Sequence, residues 1–115
     1  MTTAYKILKN GRSFHGGSLK WSLPDGDKPG EWHEVQGEIV RCRNGLHVTT
    51  RPRDFAPDIG KLKAIKCYQA EYDGDTIPEQ SGEIVARRVR LLREVPWTEI
   101  DPSLEFSPAL ELLRL

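Results

Sequence analysis

The sequence predicts a single α+β domain spanning residues 1–115, mainly antiparallel β-sheet, with short helices that include one at the C-terminus. Three observations lead there. Asn10-Gly11 and Asn44-Gly45 each stand between strand-like runs, and Asn-Gly is a strong local signal for a tight antiparallel hairpin. Lys61 to Tyr72 and Glu83 to Val95 are longer strand-like runs. Near the C-terminus, Asp101-Pro102 and Ser107-Pro108 each place a capping side chain before a proline at a first helical position.

Taken in order, Thr3 to Leu8 alternates weakly and begins the domain as a strand, with Arg12 to His15 returning beside it. Leu19 to Leu23 alternates apolar and polar residues, as a half-buried strand does, and Pro24 to Gly30 is a turn-rich loop. Short strands are expected at Glu31 to Gln36 and Glu38 to Cys42, the second returning as Leu46 to Thr49. Thr49 or Thr50 caps a short helical turn through Pro52, Arg53, Asp54 and Phe55. Asp73-Gly74-Asp75 reads as a turn, and Thr76 to Ser81 as a loop. In Glu83 to Val95 a helical and a strand pattern compete, and the Val and Ile content decides for strand. Leu104, Phe106, Leu110 and Leu113 give the tail an apolar side that belongs in the core. Gly37 to Arg43 and Gly82 to Arg88 resemble each other, a unit too short for a solenoid repeat.

Composition narrows the function classes. At 37% hydrophobic and 30% charged, the chain is that of an ordinary globular domain, not a disordered one. No run approaches the roughly 18 apolar residues of a membrane span. The N-terminal stretch lacks the apolar region of a signal peptide, so a bacterial cytoplasm is the expected location, with Cys42 and Cys67 as reduced thiols. Seventeen basic residues balance 17 acidic ones, which argues against a domain held to nucleic acid by bulk charge. The balance is global but not local. Arg41, Arg43, Arg51, Arg53, Lys61 and Lys63 form a basic stretch, and the segment after Glu94 is acidic. Together with His47, those six residues are the predicted binding patch for an anionic partner, a host or phage protein first and a nucleic acid second.

The chemical motifs are sparse. Zinc sites usually show two close ligand pairs, and Cys42, Cys67, His15, His33 and His47 form none, so no metal is expected. Cys42 beside Arg41, Arg43 and His47 has the surroundings that lower a thiol pKa, but spacing identifies no third orienting group. No phosphate-binding loop, dinucleotide fingerprint or nucleophile elbow is present, and no cofactor is expected. The aromatic residues Trp21, Trp32, Trp97, Tyr5, Tyr68 and Tyr72, among scattered arginines, have the composition of a protein-binding hot spot.

Cys42-Arg43-Asn44-Gly45-Leu46-His47 carries a resemblance. The chain resembles a family of small, uncharacterised phage and bacterial domains marked by a Cys-x-x-Gly-Phe/Leu-His turn. The matching positions are Lys6, Phe14, Gly37, Cys42, Gly45, His47 and Arg93-Glu94-Val95, over roughly residues 5 to 95. Many members carry a second cysteine where this chain has Thr49. The resemblance implies a phage or prophage source and transfers no activity. A second likeness runs from Gly45 to Ala56, which is similar to the middle strand and short helix of ADP-ribosyltransferases. It implies an NAD-using enzyme with Glu83 as its late acidic residue. The expected function is therefore a small phage-type accessory protein that binds a macromolecule, with the ADP-ribosyltransferase as the alternative. His47, Cys42 and Glu83 are the candidate catalytic residues.

Overall fold

A computed structural model describes residues 2–13, 19–41, 43–55 and 64–102. Among the described residues six strands form one antiparallel sheet: β1 (Thr2–Lys9), β2 (Arg12–Ser13), β3 (His33–Glu34), β4 (Leu46–Thr49), β5 (Ile65–Gln80) and β6 (Glu83–Val95). The pairing closes on itself. β1 pairs with β5, β5 with β6, β6 with β4, and β4 returns to β1 through Tyr5 and Thr49. β2 extends the free edge of β1, and β3 lies beside β4 along the second edge of β6.

Alternation along the strands divides the apolar residues between two clusters. Ala4, Leu8, Leu46, Val48, Tyr68, Ala70, Ile84, Ala86, Val89 and Leu91 form the larger one, to which the preceding loop adds Trp21. Ile7, Ile65, Cys67 and Val95 lie on the opposite face of β1, β5 and β6 with Trp97. Half-buried Phe55 and Ile100 pack there, so the two short helical turns, Pro52–Phe55 (3₁₀) and Trp97–Ile100, serve to cover this second face. Trp97 anchors its turn by donating Nε1–H to the carbonyl of Ile65 at 2.9 Å.

The domain is therefore all-β, not α+β: its described helical content is one 3₁₀ turn and one helical turn. The expected C-terminal helix at Ser107 lies outside the described residues. Asp101 closes the turn at Trp97–Ile100, and Pro102 straight after it is helical, the last described residue of the expected Asp101-Pro102 start.

The larger correction concerns β5. Asp73-Gly74-Asp75 does not turn the chain, and Thr76 to Gln80 is not loop: the strand runs through both. Between Asp73↔Arg88 and Thr76↔Ala86, β5 advances three residues while β6 advances two, so one extra residue is absorbed in a bulge. Gly74 supplies the left-handed backbone it needs, at φ +81°. A second such slip separates Ile77 from Gln80, and β6 takes the extra residue near Leu92. These slips bend and twist the hairpin enough for β6 to reach β4 and for β4 to reach β1.

The local turn signals fare better. Asn10 (φ 54°) and Gly11 (φ 80°) form the two-residue hairpin between β1 and β2. Asn44-Gly45 follows a tight loop closed by paired hydrogen bonds between Val40 and Asn44, at 2.7 and 2.9 Å. It does not join two strands, because Leu46 to Thr49 finds longer partners in β6 and β1. Glu38 to Arg41 therefore contributes only an isolated bridge at Val40. Leu19 to Leu23 forms no strand either: the N–H of Trp21 bonds to the Gly11 carbonyl and that of Ser22 to the His33 ring.

Candidate functional site

The register of β3, β6 and β5 builds one surface row by row. Directly opposed residues share a face, so Glu34, Arg88 and Asp73 form one row across three strands. Two residues along, Trp32, Arg90 and Glu71 form the next. The side chains meet accordingly. The Arg88 guanidinium lies 4.3 Å from the centre of the Trp32 ring, and that of Arg90 lies 4.8 Å from it. Arg88 pairs with Glu34 at 3.0 Å and with Asp73 at 2.9 Å, and Arg90 pairs with Glu71. The row beyond repeats the pattern. Arg87 meets both carboxylate oxygens of Asp75, at 2.8 and 3.0 Å, and donates to the Val35 carbonyl. Hydrogen bonding to Arg87 holds the Asp75 carboxyl below its usual pKa. At the far end, Arg93 grips Glu99 of the helical turn at 3.1 and 3.2 Å. Half-exposed ion pairs of this kind contribute under about 1 kcal/mol each, so their main effect here is to fix the arginines around Trp32.

The aromatic hot-spot residues expected from composition separate sharply. Trp21, Trp97 and Tyr68 are core, and Tyr5 and Tyr72 pack against it, which leaves Trp32 on the surface face.

The predicted basic patch is distributed differently. Arg41 donates to the Pro78 carbonyl at 2.7 Å, so it clasps the end of the β5–β6 hairpin. Arg51 packs along Gly82 at that same end and pairs with Asp54 at 3.0 Å. Arg53 pairs with Asp101 at 3.2 Å, and Arg43 is exposed in the Val40–Asn44 loop. Lys61, Lys63 and Cys42 lie outside the described residues.

His47 and Glu83 do come together, since Thr49 pairs with Glu83 and His47 lies two residues back on the same face. Burial lowers the His47 pKa, and the neighbouring Lys6 lowers it further. Cys67 is a free thiol, 1% exposed, and burial pushes its pKa up to about 12, well away from nucleophilic range. Among the described residues, no group of three His, Cys, Asp or Glu is placed to hold a metal, and no helix is long and apolar enough to cross a membrane.

Sequence reasoning missed Arg88 and Arg90 of the Trp32 face as functional candidates, and it missed Lys6. Lys6 falls in the inward phase of β1, between Ala4 and Leu8, and is only 7% exposed. Its Nζ donates to the His47 carbonyl at 2.8 Å and lies 5.2 Å from the centre of the Trp21 ring. Burial lowers its pKa to about 8, an effect that Glu83 partly opposes. The available signal was a charged residue interrupting the apolar side of an alternating strand.

No protein-family model matches the chain, and neither does any curated protein or solved structure. Functional inference therefore rests on the geometry of these two places, the Trp32 face outside the ring and Lys6 within it.

Proposed function

We propose that the protein is a small phage- or prophage-type accessory protein that works in a bacterial cytoplasm by binding a macromolecular partner, a host or phage protein, through the face centred on Trp32. The observation that carries this reading is the Trp32 ring held against two guanidinium groups at 4.3 and 4.8 Å, each tied to carboxylates on neighbouring strands. Trp and Arg are the residue types that dominate binding energy at protein interfaces. Side chains already fixed by ion pairs lose little rotamer freedom when a partner arrives.

The charge arrangement favours a protein over a nucleic acid. Arg88 and Arg90 share the face with Glu34, Asp73 and Glu71, so it offers no excess positive charge to a phosphate backbone. A mixed surface suits a partner that supplies an apolar pocket for Trp32 and polar groups around its rim.

The ADP-ribosyltransferase alternative draws on one observation, the placement of His47 and Glu83 on one face of adjacent strands. It predicts measurable NAD binding by calorimetry and turnover that Glu83→Gln abolishes.

Affinity capture from a bacterial lysate tests the binding reading. A species retained by the wild-type protein is expected to be lost with Trp32→Ala and kept with Arg43→Ala, both variants melting within a few degrees of wild type. Retention by Trp32→Ala, or NAD binding with turnover, overturns it.

A further inference from the structure

Within the closed ring of strands, two buried hydrogen-bond donors lie beside each other, the Lys6 ammonium and the Trp21 indole. Lys6 projects inward from β1 opposite Tyr68. Its ammonium has three N–H donors. One is taken by the His47 carbonyl, and the ring of Trp21 lies beside the group. Trp21 is itself 3% exposed, and its indole Nε1–H has no hydrogen-bond partner. A buried donor without a partner costs about 1–3 kcal/mol.

Trp21 has no simple way to turn its N–H outward. Its own backbone N–H bonds to the Gly11 carbonyl at 3.1 Å, and the next residue donates to His33 Nε2 at 3.0 Å. Gly30 packs so closely on Ser22 that a Cβ there would collide with the Ser22 carbonyl. His33 in turn meets the Trp21 ring edge-on, with ring centres 4.8 Å apart. The indole is thus clamped in the core, with its polar edge unpaired. Beside it, β1 is paired to β4 at Tyr5 and to β2 at Leu8, and has no ladder partner on that edge at Lys6 and Ile7 among the described residues.

We propose that Lys6 and Trp21 form a binding site for a small carboxylate, one oxygen accepting from the Lys6 ammonium and the other from Trp21 Nε1–H. A carboxylate matches both deficits. It adds negative charge to a buried ammonium whose burial the Glu83 carboxylate offsets only in part, and two acceptor oxygens for two donors held near one another. The apolar residues around the pair, among them Ala4, Leu8, Tyr68 and Leu91, limit the ligand to a small group. That group is either a free monocarboxylate or the terminal carboxylate of a peptide reaching the site at Lys6 and Ile7. This assignment is independent of the Trp32 face.

The test uses the full chain with isotope-labelled lysine and tryptophan, observed by NMR at constant ionic strength. The probes are acetate, a tripeptide with a free C-terminus, its C-terminal amide and inorganic phosphate. The expected result is a saturable shift of the Trp21 indole N–H and the Lys6 ε-methylene with acetate or with the free tripeptide. The same ligand should raise the Lys6 titration midpoint by about half a pH unit or more, because an anion favours the ammonium. Acetate binding identifies a free carboxylate; binding of the tripeptide but not its amide identifies a peptide terminus. Trp21→Phe keeps the ring, removes the donor and is expected to weaken binding roughly tenfold, and Lys6→Met is expected to abolish it. The proposal is overturned if neither carboxylate gives a saturable shift, if phosphate alone does, or if affinity is unchanged in Trp21→Phe.

Discussion

The Lys6 ammonium donates to the His47 carbonyl at 2.8 Å, close to the single residue pair, Tyr5 and Thr49, that joins β1 to β4. The contact satisfies a carbonyl at the seam of the ring, yet it places an ammonium among apolar side chains. Burial lowers the Lys6 pKa from 10.5 to about 8. Between those values the unfolded chain binds more protons than the folded one, so stability rises with pH across that window. Below about pH 8 the full cost of the buried charge is present, on the order of 3 kcal/mol. Lys6→Met is therefore expected to be more stable than wild type at pH 7 by about 1–3 kcal/mol, and the advantage should shrink towards pH 10. Tyr68, the strand partner of Lys6, has a raised pKa and acts in the opposite direction at high pH, so the difference between the two proteins is the informative quantity. Urea denaturation at both pH values measures it. A variant less stable than wild type at pH 7 would show that the His47 contact outweighs the burial.

His33 makes the domain sensitive on the acid side. Its Nε2 accepts the Ser22 N–H at 3.0 Å, and burial lowers its pKa below 6.5. Protonation sets one N–H against another and releases the loop that holds Trp21. With the folded pKa below the unfolded one, this contribution is fully present above about pH 6.5 and is lost as pH falls from there through the folded value. His47 titrates in the same direction, so the wild type alone does not isolate His33. His33→Gln keeps an acceptor without the titration. Its melting temperature should fall less than that of wild type between pH 7 and pH 5. Parallel curves for the two proteins would remove His33 from the account.

Gly74 holds the bulge on which the hairpin's bend depends. At φ +81° a side chain is strained, and a Cβ would also sit 3.0 Å from Arg87 Cβ and 3.2 Å from its Cγ. Gly74→Ala is expected to lose about 1–2 kcal/mol. Because Arg87 also holds Asp75 and Val35, the variant should loosen the approach to β3. Amide exchange of residues 33 to 35 would be faster. Unchanged stability would mean that the bulge tolerates an ordinary backbone.

These same residues explain what the sequence made legible. Asn10-Gly11 was readable because a two-residue hairpin is decided locally. Asp73-Gly74-Asp75 was misread because a bulge and a turn use the same left-handed glycine, and only the partner strand's register distinguishes them. Asn44-Gly45 gave the turn but not the pairing, since β4 finds its partners about forty residues away in each direction. The preference for strand over helix at Glu83 to Val95 was correct because β-branched content agreed with the tertiary partners. The Trp32 face depends on three strands being in register, so scattered charges along the chain could not announce it. Lys6 was visible only as weak alternation in the first strand, which looked like an imperfect pattern and is in fact an inward ammonium.

Trp97 ties the second apolar cluster to the sheet. Its Nε1–H donates to the Ile65 carbonyl at 2.9 Å, and both residues are buried, at 7% and 3% exposed. Ile65 begins β5 and pairs with Lys9 at the end of β1, so this bond fixes the helical turn to the start of the longest strand. The only other described polar tie from this turn to the sheet is the Arg93–Glu99 pair, which is half-exposed and weak. Trp97→Phe keeps a ring in place, removes the donor and strands a buried carbonyl, at a cost of about 1–3 kcal/mol. The loss should be local before it is global. Cys67, packed in the same cluster and now sealed from solvent, is expected to react with a thiol reagent at least several-fold faster in the variant. Equal thiol reactivity in the two proteins would show that the turn is held by its apolar contacts alone.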